Sequence, residues 1–374
     1  MQTVAQDRTG EDEIARYRMI MLRVLSEAFP NDGYDNPVCW SECEQLLAHA
    51  EKNVEKGESS VDRAALLHKI VSYHHGRAFY AKAEPVCRNV IDIWEKQLGK
   101  DHLKVATGLN NLALLLKHQG KYSEAELIYR RSQVIREEQL GCDHPDFAQS
   151  LSNLVELYRA QGKYGEAEQL CRRALKILEK QLGLDHHRVA TSLNNLAGLL
   201  YEQGKYAEAE HFFRRALMIL EEQLGHDHPN VAASLNNLAE SLRAQGKYRE
   251  AEQLFRRTLT ICQEQLGSEH PHFAMSLNNL ALLLYEQGKY AEAEPYYWRS
   301  LKIHEKALGI DHPYVATDLN NLAMLFRAIG KYAEAESLYQ RAVEILERSL
   351  GVSHPTTITV SNNLVALREI MNKP

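Results

Sequence analysis

Two kinds of residue in this sequence could do chemistry, and both recur every 42 residues. The first is a Gly-Lys pair, which binds phosphate when Ser or Thr follows it between a strand and a helix. Tyr follows each of the six recurring pairs, so the pairs are predicted to be turns between helices. The second is a histidine series, whose members are one repeat apart, roughly 10 Å in stacked helices, and therefore too far apart to share a metal ion. The series is predicted to occupy loops and helix starts: His102, His144, His186, His228, His270, His312 and His354.

Paired arginines could form a basic stripe for nucleic acid. The pairs are Arg130-Arg131, Arg172-Arg173, Arg214-Arg215 and Arg256-Arg257. Glutamates one turn earlier, such as Glu168 and Glu210, can neutralise them along a solvated helix face. The net charge of the chain is -6. The sequence therefore predicts no nucleic-acid partner, because such proteins normally carry a clear basic excess.

The composition is typical of a chain that buries a core in a reducing compartment. Hydrophobic residues make up 44% of the 374 residues, which is enough for a core. The six cysteines match neither a disulfide framework nor a zinc motif, which favours a cytoplasmic location. No run of about 18 apolar residues occurs, so no membrane span and no membrane partner is expected. We expect no cofactor, no metal and no enzymatic activity, because no catalytic motif is found. The polar residues 1–10 are predicted to be disordered.

Each 42-residue unit indicates two amphipathic helices. In residues 187–224, one helical stripe contains Val189, Leu193 and Leu200, and a second stripe lies within residues 209–224. One pair of helices cannot bury both stripes, so neighbouring pairs must stack to complete the core. Residues 61–350 are predicted to form seven such pairs, named repeats 1 to 7: 61–98, 103–140, 145–182, 187–224, 229–266, 271–308 and 313–350. The segment 351–374 is predicted to contain one capping helix, at about 355–371.

These residues resemble a known family. Leu196-Ala197, Gly204, Tyr206, Ala209, Phe213 and Ala216 look like the tetratricopeptide consensus. The 42-residue period, the Leu-Asn-Asn-Leu-Ala run from Leu193 and the Leu-Gly-x-Asp-His-Pro loop from Leu224 are similar, more narrowly, to the kinesin-light-chain-like subclass. The resemblance covers residues from about 60 to 371. It implies an all-α fold, a right-handed superhelical α-solenoid of antiparallel helix pairs, with a groove lined by the first helix of each pair.

The resemblance also indicates where a partner would bind. On the first helix of repeat 4, Thr191, Asn194, Gly198 and Tyr201 share one face, and in the family this face lines the groove. We call this side of the first helices the first-helix face. The leading residue of each Asn-Asn pair falls on it, and an amide can bind a peptide group through a donor and an acceptor together. The candidate peptide-binding amides are Asn110, Asn194, Asn236, Asn278 and Asn320. The alternative is a structural Asn in contact with solvent, and the trailing Asn of each pair is predicted to bridge neighbouring repeats.

Cations and tyrosines alternate further along the same face. The candidate ligand contacts are Lys117, Arg159, Arg243 and Arg327, with Tyr201 and Tyr285 in the units between. Together with the amides they suit a protein or an extended peptide that bears acidic and aromatic residues. Glu156 and Glu240 lie one turn before two of the arginines and could neutralise them. The alternation could also reflect duplication alone.

Residues 11–60 are predicted to form a helical pair outside the repeats. Phe29-Pro30, Trp40, Cys43 and residues 46–50 are similar to the segment that joins a winged helix to the repeats in NB-ARC-type STAND ATPases. This similarity would imply the sensor part of a larger switch protein, without its nucleotide-binding half. The alternative is an ordinary N-terminal cap.

Three functions from different classes follow from these observations. The favoured one is a scaffold that binds a protein or peptide on the first-helix face. The second is a ligand-sensor or regulatory domain of a STAND-type signalling ATPase. The third, a hydrolase or transferase, has no motif to support it.

Overall fold

The computed structural model describes residues 13, 16–17, 19–31, 37–55 and 60–372, and it is helical throughout. The chain is 84% helical, with no strand in the part described. Residues 19–28 are helical, and a 3-10 turn at Pro37–Cys39 leads into the first named helix. In chain order the α-helices from there on are α1 (Trp40–Glu55), α2 (Val61–Gly76), α3 (Tyr80–Leu98), α4 (Leu103–His118), α5 (Tyr122–Leu140), α6 (Pro145–Ala160), α7 (Tyr164–Leu182), α8 (His187–Glu202), α9 (Tyr206–Leu224), α10 (Pro229–Ala244), α11 (Tyr248–Gln265), α12 (Pro271–Glu286), α13 (Tyr290–Leu308), α14 (Pro313–Ala328), α15 (Tyr332–Ser349) and α16 (Pro355–Met371). The predicted disorder of residues 1–10 lies outside the described residues.

The chain divides into two compact units, residues 1–135 and 136–374. Unit 1 contains α1 to α4, unit 2 contains α6 to α16, and the boundary falls within α5. From α2 to α15 the helices form pairs, and three residues, such as 203–205, separate the two helices of each pair. Such a short connection requires the two helices to be antiparallel. These pairs are repeats 1 to 7.

The recurring histidines start the first helices from repeat 2 onward, and also start α16. Each has extended backbone angles at the position before the helix, and its Nδ1 accepts the backbone N–H two residues later at 3.0–3.2 Å. The imidazole thereby does what an Asp or Asn side chain does at other helix starts, satisfying one of the free N–H groups of the first turn. The predicted loop and helix-start position is confirmed, and the structure adds the hydrogen bond.

The Gly-Lys pairs form the turns inside the repeats, as predicted. Gly204 has φ +77°, in the left-handed region, and a Cβ built there would meet nothing within 4 Å. Glycine is therefore favoured by the backbone angle and not by lack of space. Repeat 1 has Ala78 at this position, with φ 57°, and among the described residues Ala78 is alone in having a positive φ without being glycine.

The core of unit 2 is continuous from repeat to repeat. Leu193, Leu196 and Leu200 of α8 are fully buried, as are Ala209 and Ala216 of α9. They belong to one apolar cluster that extends from α6 to α16. Each buried leucine contributes about 1.5–3 kcal/mol. A helix pair removed from its neighbours would expose half of these contacts to water, which is why the pairs stack.

The paired arginines lie on second helices and cross-link neighbouring repeats. In unit 2, Arg172 Nη2 lies 2.8 Å from Glu168 one turn earlier and 3.3 Å from Glu208 of the next repeat. Arg215 reaches back to Glu179 of the preceding repeat at 2.9 Å. The predicted neutralisation by glutamate is observed, and the pairs also connect repeats. They are largely solvent-exposed, so each contributes at most about 1 kcal/mol.

One contact changes from junction to junction. Where a second helix packs against the first helix of the next repeat, two residues 14 apart in sequence face each other. In unit 2 the polar pairs are Arg136 with Ser150, Cys262 with Ser276 and His304 with Asp318, at 3.0, 3.6 and 2.6 Å. At the other junctions of this unit the second helix supplies leucine: Leu178, Leu220 and Leu346. Repeats with nearly the same sequence are therefore joined by different side chains.

Candidate functional site

The first-helix face of unit 2 presents four positions per repeat, three or four residues apart. Most are exposed or half-buried, and Ser152 and Asn278 are the buried exceptions. In repeats 3 to 7 the residues are Gln149, Ser152, Glu156 and Arg159; Thr191, Asn194, Gly198 and Tyr201; Ala233, Asn236, Glu240 and Arg243; Met275, Asn278, Leu282 and Tyr285; and Thr317, Asn320, Met324 and Arg327. Most candidate residues predicted from the sequence therefore lie together on this face.

Asparagines of successive repeats are joined in a hydrogen-bonded ladder. The trailing Asn of one repeat donates its Nδ2 to Oδ1 of the leading Asn in the repeat before. The bonds are Asn279 to Asn236 at 2.8 Å, Asn321 to Asn278 at 3.1 Å and Asn363 to Asn320 at 2.9 Å. The predicted bridging by trailing asparagines is observed at these three junctions. The leading asparagines, predicted to face a ligand, are the acceptors of the bridge.

The ladder fixes the orientation of the leading amides. With Oδ1 of Asn236 bonded to Asn279, its Nδ2 is turned away from that bond and donates to no acceptor among the described residues. Asn236 is half-buried, so this donor lies on an accessible face. The amides of the other leading asparagines are less available to a ligand. Asn278 is only 9% exposed, and Nδ2 of Asn320 already donates to Asn321 at 3.1 Å. Oδ1 of Asn194 accepts a bond from Ser234 at 3.3 Å.

Two of the candidate arginines are each held by two carboxylates. Arg243 contacts Glu240 at 2.6 Å and also pairs with Glu286 of the next repeat. The second contact was missed by the sequence analysis, and a spacing of 43 residues is its only signal. Burial of the guanidinium opposes its charge, but the two ion pairs outweigh burial and raise the pKa of Arg243.

Arg159 has the same arrangement two repeats earlier. It lies 2.9 Å from Glu156 and 2.7 Å from Glu202. The two glutamates are partly exposed. Each of these two arginines is therefore opposed by two carboxylates, which leaves an excess of negative charge around it.

Arg327 lacks both partners. The positions that supply carboxylates to Arg243 are occupied here by Met324 and Ile370. No carboxylate of the described residues lies within 4.0 Å of Arg327, which is half-buried. Its charge lowers the pKa of the nearby Tyr339, although burial has the larger effect and raises it. Arg327 is thus a cation on the first-helix face that no carboxylate of the described residues pairs with.

The candidate tyrosines pack against the second helix of their own repeat. The rings of Tyr201 and Tyr206 are 5.3 Å apart between centroids, and those of Tyr285 and Tyr290 are 5.4 Å apart. All four are half-buried. Burial raises the pKa of Tyr201, so its hydroxyl stays protonated and able to donate.

The remaining candidates, Asn110 and Lys117, lie on α4 in unit 1. Both are half-buried, and both interact with other residues of the fold. In the same helix, Asn111 Nδ2 lies 3.3 Å from Nε2 of His68. His68 stands at the position in repeat 1 that is the leading Asn in most other repeats. The ladder geometry therefore also occurs in unit 1, with an imidazole in place of one amide.

A cleft that the sequence analysis missed opens between repeats 5 and 6. It has a volume of about 190 Å³. Asn236 and Asn279 lie at this cleft together with Ala233, Met275 and Cys262. The sequence contains one indication of this cleft, because Cys262 stands at a position that is leucine in three other repeats.

A buried Ser-Asp-His cluster lies at the junction of repeats 6 and 7. Ser300 Oγ donates to Asp318 at 2.9 Å, and the other oxygen of Asp318 lies 2.6 Å from Nδ1 of His304. In a hydrolase the serine contacts the histidine and meets the substrate. Here the serine bonds the aspartate, and all three residues are at most 2% exposed. The cluster is therefore a structural contact, and burial raises the pKa of Asp318.

The described part of the chain offers neither a metal site nor a membrane span. No group of three or more His, Cys, Asp or Glu side chains there is placed to hold a metal ion. None of its helices is both long enough and apolar enough to cross a membrane.

Solved structures with a similar fold include three of note. A Rap protein complexed with Competence and Sporulation Factor is 19% identical, with 95% of this chain and 99% of that chain covered and a TM-score of 0.54. TPR-like repeats assigned to a kinesin light chain of Podosopora anserina are 28% identical, covering 55% and 98%, with a TM-score of 0.45. BtubC (BKLC) from P. vanneervenii is 24% identical, covering 64% and 92%, with a TM-score of 0.47. A comparison with curated proteins gave no significant match.

Family models match most of the chain. A tetratricopeptide repeat model matches residues 62–138, 128–180, 146–222, 189–264, 272–348 and 318–374. A second tetratricopeptide repeat model matches residues 236–307. With the paired helices and the repeated turns, these matches establish that the chain belongs to the tetratricopeptide repeat family.

Proposed function

We propose that this protein binds an extended segment of a partner protein along the first-helix face of unit 2. The observation that carries the proposal is the asparagine ladder, because it fixes the Asn236 amide and leaves its Nδ2 donor unbonded on an accessible face. Every extended peptide offers main-chain carbonyls as matching acceptors. Tetratricopeptide repeat proteins are generally scaffolds, and we infer no catalytic activity. Free cysteines in the described residues fit the proposed cytoplasmic location.

The charges along the face suggest which side chains the segment carries. Over repeats 3 to 6 the two arginines, Arg159 and Arg243, are opposed by four glutamates, so this part has an excess of two negative charges. No glutamate or aspartate in the described part of the chain pairs with Arg327 in repeat 7. We therefore propose a segment that is neutral or basic over repeats 3 to 6 and places an acidic residue at Arg327. This refines the hypothesis from the sequence, which suggested a segment with acidic and aromatic residues and left open that glutamates neutralise the arginines.

The apolar part of the face suggests where aromatic residues of the segment would lie. Leu282 and Met324 are half-buried and stand one turn from Tyr285 and Arg327, respectively. An aromatic side chain of the segment would find an apolar surface at either position, with the Tyr285 ring one turn from Leu282. Binding at these positions would bring the acidic group of the segment within reach of Arg327.

The test is a selection of binding peptides, followed by titration of one substituted protein. A phage-displayed library of random 16-residue peptides is selected on the full chain, and the enriched peptides are titrated by calorimetry. Asn236→Asp keeps the oxygen that Asn279 needs and removes the Nδ2 donor. It should weaken binding about tenfold, the worth of one hydrogen bond of about 1.4 kcal/mol.

Asn195→Asp is the matched control, since it adds the same charge at a trailing position that makes no ladder bond in the described residues. It should leave affinity within about twofold of the parent. Equal affinity of parent and Asn236→Asp, or equal weakening by both substitutions, would reject the first-helix face as the binding site.

The N-terminal segment supports a second candidate, a sensor domain of a STAND-type ATPase. In unit 1, Lys69 Nζ donates to the Phe29 carbonyl at 2.9 Å, and the Arg77 guanidinium lies 5.3 Å above the Trp40 ring. The segment is thus attached to repeat 1, as an element that transmits ligand binding would have to be. Hydrogen exchange of residues 37–55 should then change when a selected peptide binds. Unchanged exchange there would favour the scaffold alone.

A further inference from the structure

The cleft between repeats 5 and 6 is a defined pocket beside the asparagine ladder. Its walls come from α10, α11 and α12 of unit 2. Thr258, Cys262 and Leu266 line it from the second-helix side, and Asn236 and Asn279 line it from the first-helix face. We call it the repeat 5–6 pocket. It therefore lies directly beside the amide that the proposed function assigns to a peptide carbonyl.

The pocket exists because two residues are smaller here than in other repeats. Cys262 occupies the junction position that is leucine in other repeats, at Leu178, Leu220 and Leu346. Ala233 occupies the first-helix position that is Thr191 or Thr317 elsewhere. At the next junction the same place is filled by the His304–Asp318 pair. In unit 2, repeat 5 alone combines Ala and Cys at these two positions.

The lining indicates an apolar guest. Met275, Leu266 and Pro229 contribute apolar surface, and no Asp, Glu, Lys or Arg lines the pocket. Burial raises the pKa of the Cys262 thiol, so this side chain is also uncharged at neutral pH. An ion placed here would lose its hydration without gaining a counter-charge, which is strongly unfavourable.

The volume indicates the size of the guest. A cavity of about 150 Å³ between apolar side chains is sufficient to bind benzene. The repeat 5–6 pocket, at about 190 Å³, is therefore large enough for one side chain such as Leu, Met or Phe and too small for two.

We infer that the repeat 5–6 pocket receives a single apolar side chain of the segment bound along the first-helix face. The inference rests on the proposed function and deepens it, because it gives the segment one anchoring residue. Asn236 at the pocket would bind a main-chain carbonyl next to that residue. A buried anchor beside a fixed hydrogen-bond donor is the arrangement that concentrates binding energy in few residues.

The pocket is tested first without any peptide. The protein is labelled with ¹³C at the methionine methyl groups and titrated with benzene. The Met275 resonance should shift and saturate, whereas that of Met218, on the exposed side of α9, should not. Cys262→Leu, which places the residue of Leu220 in this junction, should abolish the shift, and Ala233→Thr should weaken it. No saturable shift of Met275, or a shift that persists in Cys262→Leu, would overturn the inference.

The anchor is then tested with the selected peptides. On the parent protein, changing the anchor residue of a peptide to Ala should weaken binding at least tenfold, and on Cys262→Leu the same change should have an effect of less than twofold. Circular dichroism and thermal unfolding check that both variants fold. Peptides that respond to Asn236→Asp but not to Cys262→Leu would reject the anchor and keep the proposed function. Benzene binding without any peptide binding would reject both the proposed function and the peptide anchor.

Discussion

Nδ2 of Asn279 donates to Oδ1 of Asn236 in the preceding repeat at 2.8 Å, and this bond decides which way the Asn236 amide points. A side-chain amide that is free to rotate presents donor and acceptor equally. When a hydrogen bond holds the oxygen of the amide, its Nδ2 donor points in the opposite direction. The trailing residue of one repeat therefore orients the amide that we propose as a ligand contact in another repeat, and the two roles predicted separately for leading and trailing asparagines meet in one contact.

Asn279→Ala should affect both stability and binding. The substitution removes one partly buried hydrogen bond, so the free energy of unfolding should fall by about 0.5–1.5 kcal/mol, measured by urea denaturation. Peptide affinity should fall severalfold, since the Asn236 amide is no longer oriented. Asn195→Ala, at a trailing position without a ladder bond in the described residues, is the control. Equal losses in the two variants would show that the ladder does not orient the amide.

Arg327→Gln and Arg243→Gln should have opposite effects on ligand charge preference. Arg327 has no carboxylate partner in the described residues. Its replacement should therefore lower the affinity for peptides that contain Asp or Glu about tenfold, and the remaining affinity should depend less on salt concentration. Loss of Arg243 leaves Glu240 and Glu286 unopposed and should strengthen binding of peptides that contain Lys. Calorimetry at two salt concentrations measures both effects. Equal weakening of acidic peptides by the two substitutions would contradict the proposed charge pattern.

The His304–Asp318 contact should be strongly coupled. Because both side chains are buried, removal of either partner leaves a buried polar atom without its hydrogen bond, although Asp318 keeps Ser300 and His304 keeps the Pro271 carbonyl. His304→Leu or Asp318→Ser alone should therefore cost about 1–3 kcal/mol. The double variant reproduces the residues found at Leu178 and Ser192 in another junction of the same unit. It should recover at least half of the loss in denaturant unfolding. A double variant as unstable as the sum of the single variants would show that the two residues act independently.

Unit 1 should lose stability in mild acid. The pKa of His74 is lowered to about 4 and that of His75 to about 3, in both cases mainly by burial and further by nearby cations. In the unfolded chain both have a pKa near 6.5. Below about pH 6.5 the unfolded state therefore binds more protons than the folded state. The free energy of unfolding of unit 1 is highest above about pH 6.5 and falls as the pH decreases towards the pKa values of the folded state.

The expected loss at pH 5 is about 1–2 kcal/mol for each histidine. Urea unfolding at pH 7.5 and pH 5.0 measures it, with hydrogen exchange of α2 to attribute the loss to unit 1. His75→Asn should reduce the difference between the two pH values. A difference unchanged by that substitution would show that His75 does not cause the acid sensitivity.

The fold could be predicted from the sequence because its determinants are local and repeated. Apolar residues such as Leu193 and Leu200 define the helical stripe, and the Gly-Lys pairs mark the turns. The position of the capping histidines could also be predicted, since Pro follows most of them. The hydrogen bond of each histidine could not be predicted, because a histidine at a helix start can also point its ring into solvent. The backbone angles decide whether the ring accepts the N–H group, and the sequence does not give these angles.

The site was less accessible to prediction because its contacts join different repeats. The sequence indicated that Glu240 could neutralise Arg243, three residues away on one helix. It did not indicate Glu286, because a contact between residues 43 apart depends on how two helices pack. The repeat 5–6 pocket was missed for a similar reason: a cysteine in place of leucine opens a cavity only if the neighbouring helices do not close on it.

The side chains that join neighbouring repeats differ from junction to junction, and this difference limits how the gene can evolve. Near-identical repeats invite unequal recombination, which would remove 42 residues in register and leave the helices intact. Loss of residues 271–312, for example, would set Cys262 opposite Asp318 and leave that carboxylate without His304. The product would keep the apolar stripes of the remaining repeats and would still contain a buried acid without its histidine. Selection against such products would preserve the number and order of the repeats, and with them the sequence of chemical groups along the first-helix face.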